Sequence, residues 1–213
     1  MTRKLPYTGY EYLLEYFEDY DYGRPKVPPE MLDYRNPENI VGHQQRCFLV
    51  YWALKATENV EKPVVIDVAC GQAITPSWAI GVDKVHGIHP AYGGFYKPTV
   101  QALGEKLPFK DEVADAIVSN HGVEHLEDFP KVLRDEWLRV LKKGGIIAFV
   151  TPDRTYGSPP DLEGHTREWT PDEMFIECLL PLIEEGLIEI LDFDSFNNHF
   201  SFNVCIRKLH GDE

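Results

Sequence analysis

Basic residues are scarce in this chain. Its 213 residues hold 21 Lys and Arg against 35 Asp and Glu, a formal charge of −14. Gripping the phosphates of nucleic acid or anionic lipid takes a basic patch. Neither partner is therefore expected, and the acidity reads as a solvated surface. Cysteine is equally thin. Cys47, Cys70, Cys178 and Cys205 are scattered with no C-x-x-C pair, which argues against a zinc site or a disulfide framework and fits a reduced, cytoplasmic setting. No apolar run approaches the length of a membrane span. The opening stretch MTRKLPYTGYEYLLEYFEDYDYG is too acidic and aromatic for a signal peptide. Internal repeats and low-complexity tracts are missing. So are a G-K-[ST] phosphate loop and a G-x-G-x-x-G fingerprint, which argues against a nucleotide-dependent oxidoreductase.

What remains is ample for one α/β domain with a sizeable core: 43% hydrophobic and 26% charged residues. Residues 1–37 differ from the rest, because seven of the eleven tyrosines lie there. Tyr12, Leu13, Tyr16, Phe17 and Tyr20 recur at helical spacing, and RPKVPPE reads as an extended connector. This extension is expected to pack on the main domain or to act as a lid. Residues 38–58 are expected to be helical. From residue 63 onward strands and helices alternate. VVIDVA (64–69), ADAIVS (114–119) and IIAFVT (146–151) are continuous apolar runs, as in strands buried on both faces. Of AIGVD (79–83) and KVHGIH (84–89), one is expected to be a full strand. Asp128 is expected to cap a helix that starts near Pro130 and ends at Gly144-Gly145. Pro171 opens another helix, to about residue 184. LIEILDF (187–193) and FSFNVCIRK (200–208) alternate in period two and are expected to form a terminal antiparallel pair. The alternation predicts a largely parallel sheet covered on both faces.

Chemistry concentrates where strands stop. Ligands of open α/β sheets lie beyond the carboxyl ends of strands. The run AIVS ends in Asn120-His121, with Glu124 and His125 close behind. The first strand ends in Asp67-Val68-Ala69-Cys70-Gly71, a small-residue turn that lets backbone approach a ligand. Asp83 closes the second strand, where an acid commonly holds the two hydroxyls of a ribose. His121-Gly-Val-Glu124-His125 also matches H-x-x-E-H, the inverted zinc-protease signature. That signature needs both histidines on one helix face, yet here it follows a β-run and contains a glycine. A metal is not expected.

The succession VVIDVACG, AIGVDK, EKLPFKDEVADAIVSNHGVEHLED, LRVLKKGGIIAFVTPDR, GHTREWTPDEM resembles the Rossmann-like (class I, type-11-like) S-adenosylmethionine-dependent methyltransferases. The likeness covers residues 63 to about 175. It implies a doubly wound, mostly parallel seven-stranded sheet with a C-terminal antiparallel pair, built from residues 38–213 behind an N-terminal helical extension. It implies S-adenosylmethionine as cofactor, with S-adenosylhomocysteine as product. Asp67, Val68, Ala69, Cys70 and Gly71 would form the loop beneath the methionine moiety, and Asp83 would hold the ribose. Glu105, Lys106 and Leu107 would lie beside the adenine, and Asn120 and His121 near the transferable methyl. His121, His125 and His165 are the candidate catalytic residues. The chain departs from the family at three positions. The loop D-x-G-x-G-x-G here carries Ala69 and Ala73 in place of two glycines, and Leu103 stands where many members place an aspartate.

A sulfonium methyl is already activated, so holding acceptor and methyl in line is the leading catalytic term. Histidine suits the general base that a hydroxyl acceptor requires. Aromatics with Arg154, Arg167 and His165 in 152–170 point to a small polar or anionic acceptor. The competing expectation is a methyltransferase-like binding or regulatory protein without catalysis. Oligomeric state is left open.

Overall fold

The computed structural model describes residues 41–88, 94–156, 164–195 and 200–209, with side chains from residue 44 onward. The tyrosine-rich extension and its connector lie outside the described residues.

Helix α1 (Val41–Thr57) carries the first apolar face. Cys47, Phe48, Leu49, Val50, Ala53 and Leu54 are buried against the sheet residues Val65, Ala116, Val118, Ile146, Ala148 and Val150. The sheet is built on β1 (Val65–Val68), all four residues of which are buried. That is the pattern of a parallel strand covered on both faces. Next come β2 (Ile80–Asp83), a two-residue ribbon of β3 (Gly87–Ile88) and β4 (Phe95–Tyr96), and β5 (Val100–Gln101). Strands β6 (Ala114–Asn120), β7 (Leu141–Pro152), β8 (Ile188–Ser195) and β9 (Ser201–Lys208) complete the set. The seven-stranded sheet runs β5-β2-β1-β6-β7-β9-β8, with β3-β4 separate. From β5 to β7 every pairing is parallel, and β9 is antiparallel to both β7 and β8. The expected Rossmann-like sheet and its C-terminal antiparallel pair are therefore present. Of the two short strand candidates, only Ile80–Asp83 joins the main sheet.

Two composite helices cover the other face. Helix α2 joins Phe129–Val132, a π-type stretch Leu133–Trp137 and Leu138–Val140. Helix α3 joins Pro171–Glu173, a π-type stretch Met174–Leu179 and Leu180–Glu184. Phe129 is the hub between these helices and the sheet. Its ring meets Trp137, Phe149 and Trp169 edge-on at 5.4, 5.3 and 5.8 Å. Such pairs each contribute about 0.5–1.5 kcal/mol beyond area burial.

Two expected helix ends are corrected. Asp128 has φ 50° and ψ 55°, and its carboxylate makes no capping bond. An N-cap side chain reaches the next turn from an extended backbone, and the left-handed conformation denies Asp128 that geometry. Helix α2 ends at Val140, not at Gly144-Gly145. Leu141 turns extended to pair with Ala114. The last helical carbonyls, of Arg139 and Val140, accept the N–H groups of Glu112 and Val113 at 2.9 Å each. Pairing with the neighbouring chain thus replaces a glycine cap.

The sheet order reverses between β1 and β6, so a crevice opens beyond their carboxyl ends. This is the usual ligand position in such sheets.

Candidate active site

Both strands that flank the crevice end in strained backbone. Ala69 follows β1 with φ 57°, and His121 follows β6 with φ 53°. Left-handed backbone is uncommon outside glycine, and strain of this kind gathers at functional sites. Gly71 shares the conformation at φ 58°. Ala69 is thus held in the arrangement its family glycine would adopt without cost. The turn is fixed by the end of β2. The Cys70 N–H donates to the Val82 carbonyl at 3.1 Å, and the Gly71 N–H donates to Asp83 Oδ2 at 2.9 Å. Turns and bends, not a helix, follow this loop up to β2, in a stretch that holds the helix breaker Pro76.

The crevice is a cavity of about 440 Å³ lined by the loop Ala69–Ala73, by Asp67, Asp83, Asn120, His121 and His125, and by Arg46 from α1. That size suits a small-molecule site. Asp67 is buried, with Oδ2 accepting the Thr75 N–H at 2.6 Å. Its Oδ1 has no hydrogen-bond partner among the described residues, and neither has the buried Oδ1 of Asn120. A buried polar atom costs free energy unless something bonds it, so these two oxygens mark where a polar ligand belongs. Burial pushes the Asp67 carboxyl well above the usual carboxylate range, opposed by the Thr75 N–H and assisted by the charge of Asp83. Asp83 receives the Gly71 N–H on one oxygen and the Val85 N–H on the other, at 2.9 and 2.8 Å. A carboxylate has about four acceptor sites, so each oxygen keeps one for a hydroxyl.

At the β6 end, His121 stands between two groups. Its Nδ1 lies 3.4 Å from Glu124 Oε1, and its Nε2 lies 3.4 Å from Ser201 Oγ. Glu124 is 1% exposed and accepts the Thr151 hydroxyl at 3.3 Å. Ser201 in turn accepts Gln45 Nε2 at 3.0 Å. His125 Nδ1 pairs with the Gly164 carbonyl at 2.8 Å. His165 packs edge-on against His125, with ring centroids 4.7 Å apart, and its Nδ1 lies 2.6 Å from Glu168 Oε1. Thr166 stitches this segment down. Its N–H donates to the Glu124 carbonyl at 2.8 Å, and its hydroxyl bonds the Glu124 and Leu126 carbonyls at 3.0 and 2.8 Å.

The expected residues do not all converge. Asp67, Ala69, Cys70, Gly71, Asp83, Asn120, His121 and His125 line the cavity, and His165 reaches it through His125. Val68 points into the core. Glu105, Lys106 and Leu107 are not among the lining residues. Leu107 is buried, and its N–H donates to Glu136 Oε1 at 2.6 Å. Arg154 and Arg167 pair with Glu173 and Glu177 at the surface and do not line the cavity. Sequence reasoning missed Arg46, Thr75, Tyr96 and the buried role of Glu124. The polar run Gln44-Gln45-Arg46 before the apolar half of α1 was the available signal for the first of these.

Comparison with known proteins fits this geometry. Residues 66–149 match the family model described as "Methyltransferase domain". Those residues are therefore similar to a methyltransferase domain. A demethylmenaquinone methyltransferase of Corynebacterium efficiens is 32% identical over 114 residues, covering 47% of this chain and 49% of that protein. A Mycobacterium tuberculosis protein named "Probable S-adenosylmethionine-dependent methyltransferase" is 34% identical over 95 residues, 43% of this chain and 33% of that one. The chain thus matches half or less of each relative's length. A chain from the solved complex between the Haloferax volcanii Trm112 methyltransferase activator and a methyltransferase shares the fold. Its TM-score is 0.51 at 13% identity, over 75% of this chain and 89% of that one. Among the described residues no helix is long and apolar enough to cross a membrane.

Proposed function

We propose that this chain transfers the methyl group of S-adenosylmethionine to a small polar acceptor. The observation that carries the reading is the pair of unpartnered buried oxygens, Asp67 Oδ1 and Asn120 Oδ1, on residues that line the crevice. When bound, S-adenosylmethionine supplies a cationic sulfonium with an activated methyl. Asp67 and Asn120 would accept hydrogen bonds from the ammonium group of its methionine end. Asp83 would accept both ribose hydroxyls through its remaining acceptor sites. Lys84 and Val85, which line the cavity next to Asp83, would lie toward the adenine. The backbone of Ala69 and Gly71 leaves room for close approach beneath the ligand.

His121 would take the proton of the acceptor hydroxyl. Glu124, buried 3.4 Å from its Nδ1, would hold the ring in orientation and stabilise the imidazolium that forms. Ser201, 3.4 Å from Nε2, fixes the other side of the ring until an acceptor displaces it. A catalytically silent reading requires a loop that has lost its ligand. Against it stand the left-handed backbone at Ala69 and the open cavity beneath Asp83. The test is His121→Ala. Turnover is expected to fall by about 10²–10⁴-fold, with S-adenosylmethionine affinity within a few-fold of wild type. Unchanged turnover would sink the assignment.

A further inference from the structure

Three of the groups beside the crevice are arranged for more than hydrogen bonding. One ligand atom each from Glu124, His125 and His165 lies within 4.8 Å of the other two. We propose that these residues bind one divalent transition-metal ion, on the β6 side of the cavity with β1 between it and Asp83. The set is not the inverted zinc signature weighed from sequence. Val123–His125 is a single 3-10 turn, and His125 meets His165 from a distant segment instead of pairing with His121.

The outer contacts are what distinguish this cluster from a chance meeting of side chains. Histidines that ligate metals give their other ring nitrogen to a carboxylate or a backbone carbonyl, which fixes the tautomer and leaves a lone pair inward. Both histidines here have that partner. His165 Nδ1 faces Glu168 Oε1 at 2.6 Å, and His125 Nδ1 faces the Gly164 carbonyl at 2.8 Å. With each Nδ1 so engaged, Nε2 is the nitrogen each ring would offer to an ion. The carboxylate has its own anchor in the Thr151 hydroxyl at 3.3 Å. Thr166 ties the His165 segment to the Glu124 and Leu126 carbonyls, so the ligands are held on one stitched unit. Two carboxylates, Glu124 within the cluster and Glu168 behind His165, suit a cation there.

Two nitrogens and one oxygen suit zinc, cobalt, nickel or iron better than calcium or magnesium, which prefer all-oxygen cages. Bonds of ~2.0 Å in a tetrahedral site put ligand atoms ~3.3 Å apart, so the side chains close inward as the ion enters. Three protein ligands leave a position open, as in catalytic rather than structural sites. His125 and Gly164 both line the cavity, so the cluster borders it and that position would open toward it. Resting on the methyl-transfer reading, the open position would take an oxygen of the acceptor. This narrows the acceptor to molecules with a metal-binding hydroxyl or carboxylate.

Zinc and cobalt(II) titrations of the chelator-stripped, full-length protein test this. Wild type is expected to bind one equivalent of zinc at micromolar Kd or tighter, and cobalt is expected to show d–d bands distinct from the aqua ion. His125→Ala and His165→Ala are expected to weaken zinc binding at least 100-fold while circular dichroism stays native. Glu168→Gln, which alters only the outer partner, is expected to weaken it about 10-fold or more. His86→Ala, outside the cluster, is expected to leave it unchanged. Absence of stoichiometric binding, or wild-type affinity in both histidine variants, would overturn the site. S-adenosylmethionine titrated into the metal-free protein reports on the methyl-transfer reading separately, so either can fail without the other.

Discussion

Ala69 and His121 hold left-handed backbone at the ends of adjacent strands, and Gly122, next to His121, packs against Ala69. A Cβ added at Gly122 would lie 2.4 Å from Ser119 Oγ, 2.7 Å from Ala69 Cβ and 3.2 Å from the Val68 carbonyl. The Ala69 methyl has therefore been accommodated by a neighbour without one. Left-handed backbone costs an L-residue roughly 1–2 kcal/mol. Ala69→Gly is thus expected to raise unfolding stability by about 1 kcal/mol and to keep or tighten cofactor binding. Gly122→Ala is expected to destabilise by about 1–3 kcal/mol as an overpacking change, and less in the Ala69→Gly background. Urea denaturation of the three variants checks this, and additive effects would contradict the shared contact. Asp67 gives a second residue-scale prediction. Its folded carboxyl holds a proton more tightly than the ordinary value of 3.8, chiefly through burial. A raised folded value means this group's contribution is full below pH 3.8 and is lost as pH rises through the folded value. Asp67→Asn, which keeps an oxygen for the Thr75 N–H, is therefore expected to raise the melting temperature near neutral pH. The gain should shrink as pH falls toward 3.8. The same variant is expected to weaken S-adenosylmethionine binding tenfold or more. A neutral-pH melting temperature below wild type would contradict the burial argument.

At the scale of elements, apolar runs located the long strands of the sheet, because the centres of β1, β6 and β7 are covered on both faces, whereas the two-residue strands β4 and β5 are too short to leave such a run. The ends of helices were less legible. The Thr170–Glu173 capping box could form because Thr170 has an extended backbone at φ −79° and ψ 160°, whereas Asp128 is left-handed and caps nothing. Sequence shows the residue type, not the backbone angle that decides its use. Thr170→Ala is accordingly expected to cost about 1 kcal/mol, while Asp128→Gly is expected to stabilise by about 0.5–1 kcal/mol. Equal losses at the two positions by thermal denaturation would contradict the assignment. The LPF turn and the LRVL helix end, which carried much of the family likeness, are joined by a clasp. Arg139 bonds the Phe109 and Leu107 carbonyls at 2.8 and 3.3 Å and pairs with Asp111 and Glu136 at 2.7 Å each. Glu136 also receives the Leu107 N–H. A specific motif can thus mark a structural joint as much as a binding edge. Glu105, Lys106 and Leu107 could not be told from ligand contacts by sequence alone. His165 and Glu124 show the opposite limit. Their meeting depends on Thr166 bonds across 40 residues and more of chain, which no local pattern records.

Across the whole molecule, one sheet brings the separate pieces of the site to one edge. β1 delivers Asp67 and the strained loop, β2 delivers Asp83, and β6 delivers Asn120 and His121, all at carboxyl ends beside the reversal in strand order. The most direct test of the account is isothermal titration of the full chain with S-adenosylmethionine and S-adenosylhomocysteine, with Asp83→Ala as control and its fold checked by circular dichroism. The account predicts micromolar binding of both ligands to the wild type, reduced at least tenfold in the variant. Absence of binding up to millimolar ligand, or equal affinity in the Asp83→Ala protein, would contradict it.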